Sequence, residues 1–237
     1  MAISELQLPA SVTAHEFADA ARLAEGLAVD VAQRLRTAMD ENGQATLVVS
    51  GGRSPVAFFQ RLARQPLDWS RVVVSLADER WVPVEHADSN AGLVAQHLLQ
   101  GEAAKARFVG LYRPAASLEA AAEQADQALA QLPPIDVLVL GMGDDGHTAS
   151  LFPGSPNLAE GLQAQSQRRV LPMLAPSVPH QRLTLTRCVL AGAGATLLSV
   201  QGPGKLATLR AALGGDDPAQ MPIRAFLQDP LEIYWCP

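Results

Sequence analysis

The sequence predicts an α/β protein in one domain, with a mostly parallel sheet flanked by helices. Three observations predict it. Short apolar, β-branched-rich runs alternate with stretches of helical periodicity, the order in which parallel strands and their crossover helices follow one another. The run Ile135–Leu140 has the length and composition of a strand buried on both faces. No segment of the 237-residue chain is long or polar enough to mark a domain boundary.

Taken in order, a short apolar arm leads to Ser11 or Thr13, either of which suits the cap of a helix running to about Met39. Phe17, Ala21, Ala24, Leu27, Ala28, Val31 and Leu35 form its apolar stripe, and Asn42-Gly43 ends it. Thr46–Ser50 reads as the first strand, and Val56–Ala63 as a helix entered through Ser54 as cap and Pro55 as first helical residue. Arg71–Ala77 reads as the second strand, followed by the charged run Asp78-Glu79-Arg80, which is either a solvated loop or part of a site. Ser89-Asn90 caps a helix to about Gln100, and Ser117–Gln131 is another, closed by Pro133-Pro134. Beyond the central strand, strands are expected over Val170–Leu174, Arg182–Leu190 and Ala195–Gln201. Gly202-Pro203-Gly204-Lys205 then opens a helix to about Leu213, a further helix covers about Met221–Leu227, and Leu231–Trp235 is the closing strand.

Bulk composition narrows the function. A chain 48% hydrophobic and 18% charged, without an apolar run near the roughly 20 residues of a membrane span, reads as soluble and globular. A net charge of −6 argues against a general nucleic-acid surface but leaves room for a small anionic substrate. Cys188 and Cys236 lack metal-ligand spacing, and the first ten residues have neither a basic nor an apolar leader region, so reduced thiols and a cytoplasmic setting are expected.

Candidate chemistry gathers after Leu140, where GMGDDGHTASLFPG places Asp144, Asp145 and His147 on a tight loop at a strand's C-terminal end. Gly141, Gly143 and Gly146 satisfy G-x-G-x-x-G, yet the long helix of a dinucleotide site would be cut by Pro153, and two aspartates would face a pyrophosphate. A lone loop histidine is usually structural. Here the carboxylate of Asp145, two residues earlier, suits a general base at His147. No second His, Glu or Cys falls at a ligand interval, so neither metal nor other cofactor is expected. The segment Gly51-Gly52-Arg53-Ser54-Pro55 is either a plain strand-to-helix turn or an anion site made of close backbone, a helix start and one cation.

In order along the chain, SGGRSP, DERWVP with Ser89-Asn90 after it, GMGDDGHTASLFPG, QRLTLT and GPGK resemble the glucosamine-6-phosphate isomerase/6-phosphogluconolactonase family, on its lactonase side. That family lies in a superfamily with a modified Rossmann-like fold, shared with glucosamine-6-phosphate deaminase and ribose-5-phosphate isomerase. The resemblance implies hydrolysis of a phosphorylated sugar lactone in the pentose phosphate pathway, and a monomer or weak homo-oligomer is expected. It also implies roles. His147 would activate water and Asp145 would orient it. Gly51, Gly52, Arg53 and Ser54 would hold the phosphate, with Arg182 and Lys205 as further cations, and Asp78 and Arg80 would line the sugar pocket. Deaminases carry a glutamate five residues after the histidine, where this chain has Phe152, which cannot carry a proton. A sugar-phosphate sensor that kept the pocket but not the chemistry is the alternative from another class.

Overall fold

The computed structural model describes residues 2–237. In chain order the elements are β1 (Val12–Glu16), α1 (Ala20–Asn42), β2 (Ala45–Val49), α2 (Val56–Leu62), β3 (Val72–Leu76), β4 (Asp78–Arg80), α3 (Asn90–His97), β5 (Arg107–Val109) and α4 (Leu118–Leu129). There follow β6 (Val137–Leu140), α5 (Leu158–Gly161), β7 (Val170–Leu174), β8 (Gln181–Leu185), α6 (Arg187–Leu190), β9 (Ala195–Gln201), α7 (Pro203–Leu213) and β10 (Leu231–Cys236).

Seven strands form one sheet in the order β1-β10-β9-β6-β2-β3-β5, every neighbouring pair parallel. All residues of β2, β3 and β6 are buried, as strands covered on both faces must be. From β2 the chain moves outward to β3 and β5, returns to β6 beside β2, and then proceeds to the other flank through β9 and β10. The β2/β6 junction is therefore the point where strand order reverses. Loops leaving the carboxyl ends of adjacent strands diverge there and open a crevice.

Helix α1 buries Leu23, Leu27, Val31 and Leu35 on one stripe and ends at Gly43, whose φ of 81° suits glycine. Its cap is not Ser11 or Thr13. Asp19 accepts from the Arg22 amide at 2.8 Å, and residues 12–16 form the edge strand β1, paired in register with β10 from Val12↔Leu231. A partner more than 200 residues away leaves no local signature. Strands β4, β8 and β7 make a second, antiparallel sheet that periodicity did not foresee, with Arg80 opposite Arg182. The strand expected over residues 182–190 stops at Leu185, because Arg187–Leu190 turns helical. Residues Pro222–Ala225 form a single 3-10 turn in place of the longer helix expected there, and β5 is a strand with no forecast. Among the described residues no helix is long and apolar enough to cross a membrane.

Candidate active site

The crevice above β2 and β6 holds a cavity of about 230 Å³. Its walls bring together Gly51, Gly52 and Ser54 after β2, His147 after β6, and Lys205 after β9. The small antiparallel sheet closes it with Asp78, Arg80 and Arg182. The imidazole and the glycine turn therefore face one space. Two expected residues stay off the wall: Arg53 is exposed to solvent, and Asp145 stands behind the histidine.

The loop after β6 is built to aim His147. The Gly143 amide donates to the His147 carbonyl at 2.8 Å and the Gly146 amide to the Gly143 carbonyl at 3.1 Å, closing a tight turn. A Cβ on Gly143 would lie 2.1 Å from the imidazole, so the ring sits where only glycine leaves room. Asp145 Oδ1 is 2.5 Å from His147 Nδ1 and 3.0 Å from its amide. An ionised carboxylate can only accept, so Nδ1 carries the proton and Nε2 keeps the lone pair of the neutral ring. Burial pushes the Asp145 carboxyl up, but the hydrogen bonds and charge of His147 outweigh it and hold the group below the usual carboxylate range. Ala149, two residues on, has a φ of 49°, a left-handed conformation that costs alanine about 1 kcal/mol and clusters at functional loops.

Phe152 is buried, with its ring centroid 4.4 Å from that of His147, and the Arg182 guanidinium lies over the same ring, 5.7 Å from its centroid. One aromatic ring thus braces both the imidazole and a cation. Arg182 is itself buried, and its Nε donates to the Pro179 carbonyl at 2.8 Å. Burial lowers its pKa, as does the positive charge of Arg80, although a guanidinium stays protonated. Arg80 Nη1 donates to the Asp88 carbonyl at 2.9 Å and to Asn90 Oδ1 at 2.8 Å, while its buried Nε has no partner. None of the ion pairs among the described residues involves either arginine. Asp78, Asp88 and Glu79 favour the Arg182 cation through their charge without forming an ion pair with it, so this wall keeps hydrogen-bonding capacity that an anion could use.

Lys205, on the first turn of α7, reaches the exposed Asp144 at 2.7 Å. Ser54 does not cap α2: the cap position falls to Pro55, with no side-chain bond, one residue later than sequence spacing suggested. The contribution of this loop is close backbone, since Gly52 has a φ of 94°.

Several site residues escaped sequence reasoning. Ser150 donates to Asp78 Oδ2 at 2.6 Å and fixes that carboxylate. Ser50 lines the cavity with a buried hydroxyl that has no partner. Glu79 points away from the cavity and accepts from the Asn90 and Ala91 amides, each at 2.7 Å, holding the start of α3; burial pushes its carboxyl up. Strand alternation was the available signal, since in Asp78-Glu79-Arg80 the outer two share a face and the middle one cannot. Among the described residues, no group of three His, Cys, Asp or Glu side chains is placed to hold a metal.

A family model described as glucosamine-6-phosphate isomerases/6-phosphogluconolactonase matches residues 18–235. A 6-phosphogluconolactonase of Pseudomonas putida is 72% identical over 237 residues, covering 100% of this chain and 98% of that protein. One of Pseudomonas aeruginosa is 68% identical over 238 residues and covers 100% of both. The crystal structure of a 6-phosphogluconolactonase from Shewanella baltica superposes with a TM-score of 0.93 at 39% identity, covering 98% of this chain and 100% of that one.

Proposed function

The chain belongs to the glucosamine-6-phosphate isomerase/6-phosphogluconolactonase family, and we infer that it hydrolyses 6-phosphogluconolactone to 6-phosphogluconate in the pentose phosphate pathway. One observation carries the mechanism: His147, its Nδ1 tied to Asp145, opens into the same cavity as Arg80 and Arg182, neither of which is held in an ion pair among the described residues. Base and anion clamp therefore face a single ligand.

The substrate phosphate is held by the backbone of Gly51, Gly52 and Ser54 together with Arg182 and Lys205, which fixes the lactone carbonyl relative to His147. Asp78 and Arg80 line the sugar end. Nε2 of neutral His147 removes a proton from water as the water oxygen adds to the carbonyl carbon. The imidazolium formed is stabilised by Asp145 and returns the proton to the ring oxygen as the carbon–oxygen bond breaks, leaving a carboxylic acid and a free hydroxyl. Arg53 is exposed and takes no direct part in this scheme.

On this reading residues 1–237 act as one domain, a view supported by a single apolar cluster that runs from Ile3 to Cys236. The enzyme works in the cytoplasm as a monomer or weak homo-oligomer, on a small phosphorylated lactone and without nucleic acid. Ring-opening deamination is disfavoured, because buried Phe152 beside His147 offers no proton. The test is acid release from freshly generated 6-phosphogluconolactone. A large acceleration over spontaneous hydrolysis is expected, and a rate equal to the spontaneous one would overturn the assignment.

A further inference from the structure

Asn90 is the first residue of α3, and its side chain is almost wholly buried, 1% exposed. A buried amide is costly unless its groups are bonded, and this one is bonded across the site. Its Nδ2 donates to the Asp78 carbonyl at 2.9 Å, and its Oδ1 accepts from Arg80 Nη1 at 2.8 Å. It thus grips both residues on the cavity face of β4. Its backbone cannot drift, because the Asn90 amide donates to Glu79 Oε1 at 2.7 Å while Ser89 caps the helix through the Gly92 amide at 3.1 Å. The third contact is with the glycine loop. A Cβ built on Gly51 would fall 1.9 Å from Asn90 Oδ1 and 2.7 Å from Nδ2, so the amide lies where a side chain at position 51 would go.

We propose that Asn90 is a positioning residue: it fixes the Arg80 guanidinium toward the substrate and sets how closely the Gly51 backbone approaches it. The inference rests on the lactonase reading. The amide is the chemistry this place needs, one acceptor for a cation and one donor for a carbonyl at the same carbon. Aspartate would accept from Arg80 but neutralise it, and would set an acceptor against the Asp78 carbonyl. A hydrocarbon side chain would leave Arg80 Nη1 held by the Asp88 carbonyl alone and take the amide donor away from the Asp78 carbonyl.

The experiment is a cycle on the full chain with N90A, G51A and the double variant, read as kcat and KM on fresh lactone, calorimetric binding of 6-phosphogluconate, and thermal unfolding. N90A is expected to raise KM and weaken 6-phosphogluconate binding, each by about tenfold, with a smaller change in kcat, as loss of a charged contact predicts. G51A alone is expected to lose about a hundredfold or more in kcat/KM, and the double variant to regain about tenfold over it, because the removed amide vacates the space. Equal damage from G51A in both backgrounds overturns the packing claim, and an N90A KM within about twofold of the wild type overturns the Arg80 claim. If N90A does not fold, near-isosteric N90D decides: an unchanged KM sinks the proposal, and a raised KM in a folded protein supports it. A wild-type chain without lactonase activity would take down the functional reading instead, so the two failures are distinct.

Discussion

His147 has one ring nitrogen committed to Asp145 and one free, and that asymmetry decides what each substitution should do. His147→Ala removes the base but not the anion clamp, so kcat should fall about 10²- to 10⁴-fold while 6-phosphogluconate still binds. Turnover close to that of the wild type would remove His147 from the role. Asp145 is held below the usual carboxylate range in the folded chain, so it stabilises the fold above the ordinary aspartate value near 3.9 and ceases to as pH falls through its lowered value. Asp145→Asn should therefore lower the urea midpoint at pH 7, with the two curves converging in acid; a constant offset down to about pH 2 would contradict it. This pair was legible in the sequence because it is local, two residues apart in a glycine turn. The hydroxyl of Ser150 on Asp78 was not, since the two lie 72 residues apart and only the folded chain brings them together.

At the scale of elements, the cations come from two sources with different rigidity. Arg182 sits on β8, opposite Arg80 in a ladder, and its guanidinium is fixed by the Pro179 carbonyl and the Phe152 ring. Arg53 hangs from an irregular loop into solvent. Arg182→Ala should raise KM for the phosphorylated lactone about 10- to 100-fold, the effect of losing a charge-assisted hydrogen bond worth 1.5–3 kcal/mol, whereas Arg53→Ala should change it less than about threefold. The reverse order of effects would mean that the glycine loop closes on the phosphate. Sequence periodicity read β2, β3 and β6, which are buried on both faces, and missed the edge strands β1 and β5 of the same sheet. It missed β4, since Asp78-Glu79-Arg80 has the composition of a solvated loop. Only the pairing with β8 and the α3 amides on Glu79 make a strand of three consecutive charges, the first two of them buried.

For the whole molecule, the question is how the first strand is kept on a sheet whose neighbouring strand is made last. β1 pairs with β10 along five residues, and a polar network ties that edge to α1. Tyr234 donates to Asp30 Oδ2 at 2.7 Å, Arg34 bridges Asp30 and Glu232 at 2.7 and 2.8 Å, and His15 of β1 packs on the Tyr234 ring at 4.7 Å. Local propensity around Ser11 favoured a helix start, and this long-range set of contacts overrides it. Burial, then the hydrogen bond and charge of Asp30, push the Tyr234 hydroxyl well above its usual range. A raised value means that the contribution to stability is complete below the ordinary tyrosine value of about 10 and is lost as pH rises through the raised one. Tyr234→Phe should therefore cost about 1 kcal/mol near neutral pH, a fall of about 2–4 °C in Tm for a chain of this length. Above about pH 10 the difference from the wild type should shrink, because only the wild type's unfolded state gains by ionising. Melting curves at pH 7 and pH 10.5 check both parts. No deficit at pH 7 would show that Tyr234 holds the sheet edge by ring packing alone, which phenylalanine keeps, and a deficit that stays constant or widens in alkali would contradict the raised hydroxyl value.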